Sequence, residues 1–230
     1  MALNIRDIVV FDFETGSRNP LKTQPTQIAA VVIHGKSLKI KNNGTFNSEI
    51  RPILDDEKAI ELNLDPVEDE ALEITRKTRK ALAKAPNPKF VWKKFGKFVS
   101  MHNWKGTSWF NPIAAGYNIN NFDLPIVERM CQEHGPTSKK SGRQDIFHPI
   151  YKIDLMDTVF MWMENNPDIN SISMDSMRDL MDISKDNAHD ALQDCLDTAQ
   201  ILIKFLKLHR SLSPKIKFEK AFATESPHGF

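Results

Sequence analysis

The stretch Ile8-Val9-Val10-Phe11-Asp12-Phe13-Glu14-Thr15-Gly16 decides how the chain folds. Its apolar run is rich in β-branched residues and ends at a Thr-Gly break, which predicts a short buried strand. Side chains on a strand repeat every second residue, so Asp12 and Glu14 share one face and Phe13 takes the other. Two anions side by side at the end of a buried strand are unfavourable without a compensating charge. A divalent cation is the usual compensation. Spacing alone does not carry this reading. Asp55-Asp56-Glu57 repeats the pattern, but no strand precedes it, and it reads as a solvated acidic stretch.

Working outward, 17–26 is a polar loop with two prolines. A second buried strand is expected at 27–34 and a third within 39–51, around Gly44-Thr45-Phe46. Their connections are too short for helical crossovers, so the three strands form an antiparallel meander. The segment 54–103 is helical in character, with helices at 57–64 and 68–83. Pro86 and Pro88 break the run, and an amphipathic helix follows over 88–102. A fourth short strand falls at 113–117. The helix over 124–134 is opened by Pro125 and stopped by Gly135. The polar, basic stretch 135–149 reads as a mobile loop. A fifth strand is expected at 152–155, with helices at 156–164 and 174–181. A long helix covers 188–209, capped by Asp186-Asn187, with Ala191, Leu192, Cys195, Ala199, Leu202, Phe205 and Leu206 on its apolar face. The order of elements implies an α/β domain over 1–210 with a mixed five-stranded sheet flanked by helices, and a loose C-terminal tail at 211–230.

Composition narrows the class. With 230 residues, 40% hydrophobic and 27% charged, the chain can bury a substantial core and is neither disordered nor membrane-embedded. No apolar run reaches membrane-spanning length, and the N-terminus lacks a signal-peptide pattern. Cys131 and Cys195 read as buried free thiols, which points to a reducing, cytoplasmic setting. The net charge of +1 hides an asymmetry. The segment 54–73 holds nine acidic residues and one basic, whereas 72–105 holds ten basic and one acidic. A basic patch of that kind attracts a phosphate backbone. The bland alternative is a solvated helix face, with Val91, Phe95, Phe98 and Val99 turned to the core.

Further candidate residues follow the later strand ends. Asp123 precedes a proline-opened helix and could equally be its N-cap. His189, Asp190, Asp194 and Asp197 open the long helix. On spacing alone they could be terminus residues and a solvated stripe.

Taken together, Asp-x-Glu on a strand, then Asn-x-x-x-Phe-Asp at 118–123, then His-x-Ala-x-x-Asp at 189–194, resemble the DEDD exonuclease superfamily. A histidine at 189 in place of a tyrosine assigns the chain to the histidine branch, DEDDh. The segment 116–125 also looks like the second exonuclease motif of replicative polymerases. The resemblance covers roughly 5–208. It implies a ribonuclease H-like fold and removal of nucleotides from 3′ ends. Carried over residue by residue, Asp12, Glu14, Asp123 and Asp194 become carboxylates for two Mg²⁺ or Mn²⁺ ions. His189 becomes the general base, and Thr15, Asn118 and Phe122 help to hold the terminal nucleotide. The expected substrate is nucleic acid with a single-stranded or frayed 3′ end, DNA before RNA. The alternatives are an exoribonuclease or oligoribonuclease, and a binding module that keeps the fold without the chemistry. A separate polymerase is a candidate partner, and a membrane is not.

Overall fold

The computed structural model describes residues 6–185 and 190–212. β1 (Ile8–Thr15), β2 (Pro25–Ile33) and β3 (Ile40–Glu49) form the antiparallel meander that their short connections demand. Four helices follow: α1 (Asp56–Glu61), α2 (Asp69–Ile74), α3 (Arg79–Leu82) and α4 (Pro88–Ser100). The chain then returns as β4 (Ile113–Gly116), parallel to β1. α5 (Asp123–His134) crosses over to β5 (Lys152–Asp154), which runs parallel to β4. The chain closes with α6 (Leu155–Met163), α7 (Met174–Leu180) and α8 (Ala191–Leu212). The sheet order is β3-β2-β1-β4-β5, a mixed five-stranded sheet as expected.

Period-two alternation sorts β1 between two cores. Val9, Phe11 and Phe13 face one side, where they pack with Ile28, Ala30 and Val32 beneath α4 and α5. Phe11 stacks on Phe147 at 5.0 Å. Ile8 and Val10 face the other side, with Ala29, Val31 and Ile33, beneath α6, α7 and α8. Each fully buried aliphatic or aromatic side chain contributes about 1.5–3 kcal/mol. All nine residues of β2 are buried, as befits a strand enclosed by neighbours and by helices on both faces. The same alternation turns Asp12 and Glu14 toward the α8 side.

Two sequence expectations are corrected. The helix anticipated over 68–83 is two short helices, α2 and α3. The backbone turns left-handed at Arg76 (φ 54°), and Thr78 restarts the helix by accepting the Ala81 N–H at 3.1 Å. The stretch 135–149 is not a loose loop along its length. Ile146, Phe147 and His148 are buried, and Thr137 bridges Gln144. Burial of that apolar anchor leaves only the polar tip around Lys139, Lys140 and Arg143 in solvent. The long helix runs to Leu212, while its expected caps Asp186 and Asn187, and most of the expected tail (213–230), lie outside the described residues. Asp190, directly before α8, accepts the N–H groups of Leu192 and Gln193. Among the described residues no helix is long and apolar enough to cross a membrane.

Candidate active site

Two elements build the acidic centre. β1 delivers Asp12 and Glu14 from its C-terminal end, and α8 lays Asp194 across the same face of the sheet. Ligand atoms of Asp12, Glu14 and Asp194 lie within 4.8 Å of one another. Asp123 stands beside them at the start of α5. Helix α5 begins at Asp123 itself, with Phe122 at the cap position, so Asp123 is not the N-cap. Its side chain turns to the sheet instead, and Oδ1 accepts the Phe13 N–H at 3.1 Å. Asp123 falls outside the three-carboxylate group, and only 2% of it is exposed.

The cost of this arrangement shows in the protonation of its members. Burial raises Asp12 well above the ordinary carboxylate range, and repulsion from Asp123, Glu14 and Asp194 adds to it. Burial, then repulsion from Asp194, lifts Glu14 to about 7. Asp123 is lifted to about 8, chiefly by burial and against the Phe13 N–H that it accepts. Crowded hard oxygen donors of this kind fit a divalent cation such as Mg²⁺ or Mn²⁺.

The loop that carries Asp123 is fixed by Asp154, a residue that sequence reasoning missed. Its carboxylate accepts the N–H groups of Asn118 (2.8 Å) and Asn120 (3.0 Å), and it also caps α6 at Met156 (3.1 Å). Asn118 itself sits at φ 59°, a conformation that asparagine tolerates better than most residues. Its Oδ1 accepts from Asn121 Nδ2 at 3.0 Å. Arg178 was missed too. This buried arginine of α7 contacts Asp194 at 2.5 Å and Asp197 at 2.9 Å. Asp197 is therefore no solvated residue. Arg178 pairs with aspartates 16 and 19 residues away, and no local pattern announces them.

Two recesses flank the acidic centre. One, of about 170 Å³, is lined by Glu14, Thr15, Ile74 and Phe122 among others. It brings together two of the three expected nucleotide contacts, and Asn118 does not line it. The other, of about 490 Å³, lies between the α2–α3 junction and the start of α8, where Arg76 and Lys77 face Asp190 and Gln193. Lys77 also acts on Glu14, pulling against the upward shift. The rest of the basic run divides as its periodicity suggests. Val91, Phe95, Phe98 and Val99 enter the core, and Lys89, Lys93, Lys94 and Lys97 stay in solvent on α4, across the sheet from Asp12. His189 lies outside the described residues.

The chain matches the model of the exonuclease family (RNase_T) over 9–202. No curated protein matches its sequence. Among solved structures, exonuclease I from Methylocaldum szegediense superposes with a TM-score of 0.67 at 17% identity, over 91% of this chain and 41% of that one. Cell-death related nuclease 4 gives 0.66 at 17% identity, over 89% and 65%. Exonuclease I of E. coli, solved in complex with a dT13 oligonucleotide, gives 0.64 at 20% identity, over 97% and 45%. The chain thus spans 41% to 65% of the length of these proteins. The sheet order and flanking helices are those of their ribonuclease H-like fold.

Proposed function

The chain belongs to the exonuclease family, and from that premise we propose that it is a metal-dependent 3′→5′ exonuclease of the DEDD superfamily's histidine branch. It releases nucleoside 5′-monophosphates from single-stranded or frayed 3′ ends, DNA before RNA. The observation that carries this reading is the gathering of Asp12, Glu14 and Asp194 within 4.8 Å at a strand end. Asp12, Glu14 and Asp194 would hold the cations, two in this reading, with Asp123 completing the charge behind them. Such ions supply Lewis acidity, making water nucleophilic near neutral pH and balancing charge on the leaving oxygen.

The chain's own residues do the rest. Thr15 and Phe122 line the recess beside Glu14, and there they hold the terminal nucleotide. The Phe122 ring offers a face on which a base can stack, a contact that tolerates any sequence. His189 takes the proton of the attacking water, since an imidazole with an ordinary pKa of about 6.5 is a good base near neutral pH. The P–O3′ bond breaks as the new P–O bond forms, and the shortened strand departs with a 3′-hydroxyl. The DNA preference is supported by the neighbour solved with a dT13 oligonucleotide.

The test uses DNA and RNA oligomers of matched sequence, labelled at the 5′ end and incubated with Mg²⁺, Mn²⁺ or chelator. A metal-dependent ladder shortening from the 3′ end, faster on DNA, is expected. Asp12→Ala and Asp194→Ala should reduce it to background while the protein stays folded. His189→Ala should lose about 10²- to 10⁴-fold in rate. Folded, fully active aspartate variants would refute the site. A faster RNA ladder would reassign the substrate.

A further inference from the structure

Arg178 is a buried partner of the acidic centre to which the proposed chemistry gives no role. Its side chain is 2% exposed on α7, and it divides its nitrogens among three aspartates. Nε donates to Asp197 Oδ2 at 2.9 Å, Nη1 to Asp175 Oδ1 at 2.9 Å and Nη2 to Asp194 Oδ1 at 2.5 Å. Asp197 lies nearly a turn beyond Asp194 on α8 and is itself 1% exposed. Gln193 Nε2 donates to its other oxygen at 2.7 Å. A guanidinium is planar and rigid, so anchoring two of its edges fixes the direction of the third. That third edge meets Asp194. A buried ion pair is weak evidence for stability, and an Arg178–Asp197 pair alone would satisfy both helices. The extra contact to Asp194 reaches the metal-ligand set itself.

We propose that Arg178 is a positioning residue for the metal centre. Anchored by Asp197 and Asp175, it holds one oxygen of Asp194 and so fixes the angle at which α8 presents that carboxylate to Asp12 and Glu14. It also places a permanent cation beside an acidic cluster, which keeps the carboxylates together before an ion arrives. Lysine cannot substitute, because one ammonium on a flexible stem does not span three carboxylates in fixed directions. The inference rests on the metal-dependent reading above.

The test compares the wild-type protein with Arg178→Lys, Asp197→Asn and the double variant Arg178→Met/Asp197→Leu. The double variant replaces the buried pair with apolar side chains of similar size, a change that is often neutral for stability. Mn²⁺ binding is measured by calorimetry and by the electron paramagnetic resonance of bound Mn²⁺. Turnover of a single-stranded oligonucleotide is resolved into kcat and KM. Folded variants should bind Mn²⁺ about 10- to 100-fold more weakly, with an altered resonance line shape. Their kcat should fall by a similar factor while KM stays within about twofold, because substrate-binding residues are untouched. Folded variants with wild-type Mn²⁺ affinity and kcat overturn the proposal, as does loss of fold in all three, which would make Arg178 purely structural. Wild-type protein that binds no Mn²⁺ refutes the metal-dependent reading itself, whereas Mn²⁺ bound equally by wild type and variants refutes only the role of Arg178.

Discussion

Asp12, Glu14 and Asp123 keep their protons far above the ordinary carboxylate range because burial and mutual repulsion both disfavour their charges. This carries a stability cost with a definite sign. Asp123 titrates near 3.8 in the unfolded chain and near 8 in the fold, and Glu14 near 4.5 and near 7. Between those limits the folded protein holds protons that the unfolded chain has released. Stability of the metal-free protein therefore falls as pH rises from about 4 to about 8. Asp123→Asn removes one of these titrations, so the metal-free variant should lose less stability than wild type between pH 5 and pH 8. The check is thermal melting in chelator across that range, read as the difference between the two proteins. The difference cancels the opposite contribution of His148, whose burial lowers its pKa and favours folding as pH rises. Parallel curves for wild type and variant would show that Asp123 is not held protonated.

At the scale of elements, the site depends on how closely β4 approaches β1. A Cβ on Gly116 would lie 2.8 Å from the Phe11 carbonyl oxygen and run into the Ile119 side chain. Gly116→Ala must therefore push β4 away from β1 one residue before Asp12, at a cost of about 1–3 kcal/mol. The expected result is a lower melting temperature together with reduced hydrolysis. Gly96→Ala is the contrast. Its Cβ would meet only Ile146, at an ordinary 3.9 Å, and alanine favours a helix by about 0.5–1 kcal/mol, so α4 should gain stability and activity should not change. If Gly116→Ala melted and hydrolysed like wild type, the tight β1–β4 approach would not hold the site. The junction of α2 and α3 makes a separate prediction. If the groove lined by Arg76 and Lys77 guides the strand toward Glu14, Arg76→Ala should raise KM several-fold with kcat unchanged, whereas Lys77→Ala, which also removes a cation acting on Glu14, should raise KM and lower kcat. Each should also flatten the salt dependence of binding by about 0.7 in log–log slope, the loss of one phosphate contact on a single strand. Substitution of Lys93, on the far side of the sheet, should do neither.

Across the whole molecule, what could be read from sequence was what depends on local period. Alternation in β1 foretold the shared face of Asp12 and Glu14, with Phe13 on the other. Short connections foretold the meander, and the 3.6-residue pattern sorted Phe95 and Phe98 from the lysines of α4. Contacts made at a distance were not legible. Asp154 organises Asn118 from 36 residues away, and Arg178 reaches Asp197 across 19. The break at Arg76 has neither glycine nor proline to announce it. The gathering of β1 and α8 could be inferred only from the order of motifs, and it is the property that a metal titration reads. Four crowded carboxylates from β1, α5 and α8 meet only in the fold, so a cation bound there stabilises the folded chain and not the unfolded one. At a concentration 100 times its Kd that stabilisation is about 2.7 kcal/mol. For a domain of this size each kcal/mol moves the melting temperature by about 2–4 °C, so Mn²⁺ should raise it by roughly 5–10 °C over chelator. Protons and metal compete for the same oxygens, and Glu14 and Asp123 release theirs only near 7 and 8. The shift at a fixed Mn²⁺ concentration should therefore be larger at pH 8 than at pH 6, and Asp194→Ala should abolish most of it. A shift that survives Asp194→Ala, or that shrinks as pH rises, would place the bound ion somewhere other than between β1 and α8.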